Sequence, residues 1–311
     1  MSETVTLAHL SDVHLAPLPG IPLRHLNLKR GLGYLNWQRG RRHAHQRPAL
    51  DLIVADMLAH RPDHIAVTGD LINLGLPAEY DAARDWLEDL GAPDTVTVIP
   101  GNHDIYTSLR GDPGVARWAD YMRSDVWGAG LTGGARDPFP FVRRVGPAAL
   151  IALNSAVATP PFVASGELGA AQLATLAELL SKVEAEGLIR VVLIHHPPLP
   201  GQAPASRGLR DAAALQSVLA ERGAELVLHG HNHRDSHVDF ASISNAGAPR
   251  RIPVIGIASG SMGRAHKGEP LGRYNLLHIA RSDGSAHIEY VTRGLNPSGS
   301  AIIHLDRKVI A

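Results

Sequence analysis

The chain has no cysteine, which removes disulfides, thiolate metal sites and cysteine nucleophiles from consideration. No apolar segment approaches the roughly 20 residues needed to cross a bilayer. Net charge is absent as well: 30 basic residues balance 30 acidic ones, so no global field points to nucleic acid or to a membrane. A G-x-S-x-G elbow is missing, which leaves serine-nucleophile chemistry without its frame; Ser259-Gly260-Ser261 follows a strand and reads as pocket lining. Met1 runs into a strand-like stretch at 5–10 without the basic start and long apolar core of an export signal, so a cytoplasmic protein is expected.

One absence is local. Between Val13 and Leu50 there is no acidic residue, while Arg24, Lys29, Arg30, Arg39, Arg41, Arg42 and Arg47 are all basic. Leu26, Leu28, Leu32, Tyr34, Leu35 and Trp37 are interleaved with them. The stretch reads as a surface excursion with solvated charges, as a grip on an anionic substrate, as a dimer arm in a homo-oligomer, or as a peripheral membrane contact through 24–47. The sequence does not choose among these.

What is present begins with a core. At 311 residues and 44% hydrophobic content the chain can bury a large one. Short runs rich in Val, Ile and Leu at 5–10, 64–68, 96–99, 150–153, 191–194 and 226–228 predict strands buried on both faces. Helices are predicted from Pro48, from Pro77 to a stop at Gly91, over about 169–186, and over about 212–222 before Gly223. The pattern then changes to strands at 252–257, 274–280 and 287–292, joined by tight links such as Ser282-Asp283-Gly284. Helix-linked strands followed by a meander predict an α/β fold of two stacked sheets with helices outside. The expected organisation is one domain over 1–311, with a basic insertion at about 16–47 and the meander at about 252–305.

Five short signals follow these strands in a fixed order: Asp12-Val13-His14, Gly69-Asp70, Gly101-Asn102-His103-Asp104, His195-His196-Pro197 and Gly230-His231-Asn232-His233. In open α/β sheets, loops at the carboxyl ends of strands form the binding crevice, so distant segments can converge there. Asp12/His14 and His231/His233 are i, i+2 pairs, and in extended backbone such side chains point to one side. The candidate ligands Asp12, His14, Asp70, Asn102, His195, His231 and His233 carry about −2 with neutral imidazoles, against +4 for two divalent ions. The residual positive charge suits a phosphate, and a water whose pKa falls towards about 7 supplies a nucleophile at neutral pH. Asp70 is the candidate bridge, one oxygen to each ion. Mixed imidazole and carboxylate ligation favours Mn, Fe or Zn over Mg or Ca. His103 is left free to move protons.

The ordered set D-x-H, G-D, G-N-H-D, H-x-P and G-H-x-H is similar to that of the calcineurin-like metallophosphoesterase superfamily, and looks closest to its bacterial cyclic-nucleotide and glycerophosphodiester phosphodiesterases. The resemblance implies a four-layer α/β/β/α sandwich. It also implies that Asp12, His14, Asp70 and His233 hold one metal, and that Asp70, Asn102, His195 and His231 hold the other. His103 would protonate the leaving oxygen or orient the phosphate, and Asp104 would steady that imidazole. The implied function is a dinuclear-metal phosphodiesterase attacking small phosphoester substrates with a metal-activated water. Two alternatives are a pyrophosphatase on a lipid-linked nucleotide at the membrane surface and a non-catalytic metal-binding scaffold. The family's H-x-P pattern selects His195 over His196, which is expected to pack behind the site.

Other histidines have plainer readings. His9, His60, His64, His278, His287 and His304 are expected in the core or on the surface, while His229 stands beside the site. His231-Asn232-His233-Arg234-Asp235 superficially matches a metallo-β-lactamase opening, but Ser236 stands where that motif needs another histidine. Pocket walls are expected from loops 156–167, 198–210 and 259–269, which carry Arg207, Arg210, Arg264, His266 and Lys267.

Overall fold

Strands form wherever an apolar run is bounded by turn residues. The computed structural model describes residues 4–107, 111–133, 138–243, 249–282 and 284–310, so Asp283 of the expected 282–284 link lies outside them. In chain order the strands are β1 (Thr4–Leu10), β2 (His64–Val67), β3 (Val96–Val98), β4 (Phe141–Val145), β5 (Ala148–Ala152) and β6 (Ile189–Leu193). They continue with β7 (Leu226–His229), β8 (Ser236–Ile243), β9 (Pro249–Gly256), β10 (Arg273–Ser282), β11 (Ser285–Leu295) and β12 (Ile302–Val309). Three of these, β4, β8 and β12, go beyond the expected set.

The helices are α1 (Leu28–Asn36), running into a π-helical turn at Trp37–Arg41, then α2 (Arg42–Ala44), α3 (Arg47–Ala59) and α4 (Pro77–Leu90). After them come α5 (Val126–Thr132), α6 (Gly169–Ala185) and α7 (Ala212–Arg222). Pro48 and Pro77 sit in the first turns of α3 and α4, where the missing N–H costs nothing. Among the described residues no helix is long and apolar enough to cross a membrane.

Two six-stranded mixed sheets result, in the orders β12-β11-β10-β1-β2-β3 and β4-β5-β6-β7-β9-β8. The parallel strands β1, β2 and β3 lie at one side of the first sheet, and β5, β6, β7 and β9 run parallel in the second. Alternation along β5 shows how the layers form. Ala148, Leu150 and Ala152 join a buried cluster with Leu7, Val67 and Val98 of the first sheet, and Leu50, Ile53 and Met57 of α3 and Trp86 and Leu87 of α4 belong to the same cluster. Ala149 and Ile151 turn the other way, onto Leu176, Leu180, Leu215 and Leu219 of α6 and α7. The architecture is the expected α/β/β/α sandwich. Its parallel strands all deliver their carboxyl-terminal loops to one edge of the sheet pair.

Candidate metal centre

The loop after β1 lies on the loop after β2. Asp12 N–H donates to Gly69 O at 2.9 Å, His14 N–H to Asp70 O at 3.0 Å and Leu15 N–H to Leu71 O at 2.8 Å. Gly69 allows a third loop in: at its φ of +95°, an added Cβ would lie 2.6 Å from Gly101 N and 2.7 Å from His195 Nδ1. The β7 loop closes the cluster, with His231 N–H donating to the Asp12 carboxylate at 3.0 Å.

The backbone here is not extended. Asp12 (φ 53°), His14 (38°), Asp70 (56°), His231 (69°) and His233 (51°) all occupy the left-handed region. The expectation that i, i+2 pairs converge through extended geometry is therefore corrected. The side chains do meet, but because each loop turns left-handed at the residue concerned, a conformation Asp and His tolerate better than most.

The seven candidate ligands come together, all buried. Ligand atoms of Asp12, His14 and Asp70 fall within 4.8 Å of one another, as do those of Asp70, His195 and His231. Asp70 belongs to both groups. His14 Nε2 and His233 Nε2 are 3.2 Å apart, and His233 Nε2 is 3.2 Å from Asp12 Oδ1. His195 Nε2 lies 3.2 Å from Asn102 Oδ1, 3.3 Å from His231 Nδ1 and 3.5 Å from Asp70 Oδ2. Nitrogen and oxygen lone pairs facing one another at these distances are relieved by a shared proton or by a cation bound between them.

The residues therefore fit a pair of cations, and two observations test the fit. His231 Nε2 is a buried polar atom without a hydrogen-bond partner among the described residues, and Asp12 Oδ1 meets only the His233 ring, at 3.2 Å. The protonation pattern agrees. Burial alone would depress His195 and His233, yet the Asp70 carboxylate lifts His195 to about 9 and the Asp12 carboxylate lifts His233 to about 9. Burial holds His14 and His231 well below the usual histidine range, helped by Arg41 and His196 respectively. Asp70 is held well below the usual carboxylate range, burial being outweighed by His195 and His103.

The remaining expected residues are placed as follows. His103 Nδ1 faces Asn73 O at 2.5 Å, its ring stacks on Tyr106, and its Nε2 meets Arg41 Nη1 at 3.0 Å beside the cavity that His103 lines. Burial and Arg41 push it down to about 4. Asp104 does not steady that imidazole. Its two oxygens accept the N–H groups of Asp70 (2.8 Å), Leu71 (2.9 Å), Ile72 (3.2 Å) and Gly101 (2.8 Å), tying the β2 loop to the β3 loop. Burial and Asp70 push Asp104 up to about 8 against the pull of these donors. Asp104→Asn, which turns an amide donor towards those N–H groups, is expected to destabilise the fold by about 2–4 kcal/mol, measured by urea unfolding. A loss below about 0.5 kcal/mol would show that the loops hold without it.

His196 bonds Ser155 Oγ at 2.8 Å and Ala164 O at 3.1 Å, outside both ligand groups. His9 and His64 bond Thr68 and Thr97 in the core. Arg207, His266 and Lys267 do line the cavity around the cluster, whereas Arg210 pairs with Glu167 and Arg264 is exposed. Ser259 and Ser261 are not pocket wall. They are buried, Ser259 Oγ donating to Asp12 O at 2.6 Å and Ser261 Oγ meeting His45 Nδ1 at 2.8 Å.

Three residues were not singled out for the centre from the sequence, though Arg41 was named in the basic stretch and Glu269 closes one of the expected wall loops. His45 joins His14 and His233 in a third group of close ligand atoms, with its ring 4.5 Å from that of His14. Arg41 reaches His14 and His103, and Glu269 accepts from His233 Nδ1 at 3.0 Å. His43-Ala44-His45 repeats the i, i+2 spacing and was a usable signal; nothing local distinguishes Arg41 or Glu269 from solvated charge.

The model for the family described as calcineurin-like phosphoesterase matches residues 5–235. A cAMP/cGMP dual specificity phosphodiesterase of Mycobacterium tuberculosis is 30% identical over 225 residues, covering 70% of this chain but 63% of that protein. A glycerophosphodiester phosphodiesterase of Enterobacter lignolyticus is 30% identical over 203 residues, covering 64% of this chain and 66% of the relative. Among solved structures, a dimetal phosphatase from Danio rerio superposes with a TM-score of 0.63 over 99% of this chain and 98% of that one, at 14% identity, which is a likeness of fold.

Proposed function

The chain belongs to the calcineurin-like phosphoesterase family, and from that premise we propose that it is a dinuclear-metal phosphodiesterase acting on small phosphodiesters. The cyclic-nucleotide and glycerophosphodiester kinds named for its relatives are the first candidates. The observation that carries this reading is the buried cluster in which Asp70 shares ligand-atom distance with both Asp12/His14 and His195/His231. In it, Asp12, His14, Asp70 and His233 would hold one ion, and Asp70, Asn102, His195 and His231 would hold the other. Mn, Fe and Zn suit this donor set better than Mg or Ca. Bound there, two divalent ions supply Lewis acidity to the phosphoryl oxygens and lower the pKa of the attacking water.

The protein's own groups do the rest. Asn73 O fixes the His103 ring through Nδ1, leaving Nε2 to protonate the departing oxygen or orient the phosphate. Glu269 and Ile72 O likewise hold His233 and His14 through Nδ1, which keeps each Nε2 lone pair turned to the cluster. Asp104 keeps Asp70 in place. A single cytoplasmic domain suffices for all of this.

Hydrolysis of bis(p-nitrophenyl) phosphate tests the proposal. Chelation is expected to remove turnover and added Mn²⁺ to restore it; no restoration with Mn²⁺, Fe²⁺ or Zn²⁺ would refute the reading. A second reading, a pyrophosphatase on a lipid-linked nucleotide, draws on Leu23 and Leu28, which are 87% and 74% exposed in a segment whose Arg24, Arg39 and Arg42 are exposed too. It requires binding to anionic vesicles that weakens when Arg24, Arg39 and Arg42 are neutralised.

A further inference from the structure

The basic insertion ends inside the site. Of its seven cations, Arg24, Arg39, Arg42 and Arg47 are exposed. Arg30 is spent on the carbonyls of Leu74, Gly75 and His25, and Lys29 on those of Tyr106 and Thr159. Arg41 has no such carbonyl partner among the described residues. It closes the π-helical turn Trp37–Arg41, a widened turn of the kind often found at functional sites. The following segment is pinned by Gln46 N–H to Ser261 O and Gly263 N–H to Ala44 O, both 2.8 Å. Its guanidinium lies 3.0 Å from His103 Nε2 through Nη1, and 2.9 Å from His14 Nε2 and 3.2 Å from His14 Nδ1 through Nη2.

Those contacts conflict with a working site. His14 Nδ1 faces Ile72 O at 3.1 Å and so carries the ring proton, leaving Nε2 as the only lone pair. That lone pair can accept from Arg41 or bind a cation, but not both. Arg41 also has no carboxylate within ion-pair distance among the described residues; its hydrogen-bond partners are imidazoles. A guanidinium stays charged in any protein environment and presents a planar fork that matches phosphate oxygens. It stands where two cavities meet. One, of about 250 Å³, surrounds the histidine cluster; the other, a cleft of about 460 Å³, runs between Leu32, Leu35 and Trp37 on one side and Phe162 and Val163 on the other. Arg41, His103 and Arg207 line both.

We propose that Arg41 is a substrate-binding residue that grips the non-bridging oxygens of a phosphodiester at this junction, and that the cleft takes a bulky apolar or aromatic group esterified to that phosphate. The proposal deepens the phosphodiesterase reading and rests on it for the second half only, since phosphate capture is readable without turnover. The probe is inorganic phosphate, titrated calorimetrically into the Mn²⁺-loaded protein and also used as a competitive inhibitor of bis(p-nitrophenyl) phosphate hydrolysis. Arg41→Ala is expected to weaken phosphate binding about 10- to 100-fold, the scale of one or two charge-assisted hydrogen bonds, with bound Mn²⁺ per chain unchanged. Arg41→Lys should recover part of the loss. Trp37→Ala should raise the KM for the aryl diester severalfold while leaving phosphate affinity alone. Unchanged phosphate affinity in Arg41→Ala overturns the proposal, and so does loss of Mn²⁺, which would make Arg41 a support for the histidines. An unchanged KM in Trp37→Ala overturns the assignment of the cleft. A wild-type protein that binds phosphate through Arg41 yet hydrolyses no diester would sink the phosphodiesterase reading and keep Arg41.

Discussion

Asp70→Ala is expected to empty both metal positions and to lower turnover of bis(p-nitrophenyl) phosphate by at least about 10³-fold, the scale of losing one major electrostatic contribution. Three features set that size. Asp70 is only 2% exposed, it is the residue common to the two ligand groups, and its Oδ1 accepts the His103 backbone N–H at 2.7 Å. Its removal takes away half of the carboxylate charge and also loosens the general-acid candidate. The measurement is metal content by elemental analysis beside steady-state rates, with Asp70→Asn as the isosteric control. Two ions per chain retained in Asp70→Ala would contradict a bridging role.

His103→Ala should behave in the opposite way, keeping its metals and losing chemistry. Among the described residues no group of close ligand atoms includes His103. For diesters with poorly stabilised leaving alcohols the expected loss is about 10²–10⁴-fold, the usual contribution of a positioned proton donor. For p-nitrophenyl esters, whose leaving group needs no proton, the loss should be much smaller. A plot of log kcat/KM against leaving-group pKa should therefore be steeper in the variant than in the wild type. Equal losses across the series would assign His103 to phosphate orientation alone.

The sequence disclosed the strand-end loops because each combines an apolar run with a ligand-bearing turn, and both signals are local. Gly69 is a case: the crowding that demands it is tertiary, but its place before Asp70 is visible in one dimension. Strands β4, β8 and β12 were not legible. Phe141–Val145 carries two arginines and Ile302–Val309 is largely exposed, as befits strands at or near sheet edges, so neither forms an apolar run. Asp104 was misjudged for a different reason. Adjacency to His103 suggested a partner for the imidazole, whereas the four N–H groups that claim its oxygens come from two loops whose meeting no local pattern encodes. The insertion was legible as basic and amphipathic, but that Arg41 is the cation to reach the histidine cluster depends on a single widened helical turn.

The left-handed backbone at Asp12, His14, Asp70, His231 and His233 also bears on how such a protein can evolve. Each position carries a conformational cost of about 1–3 kcal/mol that glycine would relieve. A lineage or a library selected for heat endurance alone, with no demand for turnover, should therefore drift towards glycine at these five places. Their persistence as Asp and His in a thriving gene would be a record of continuous selection for what the loops hold.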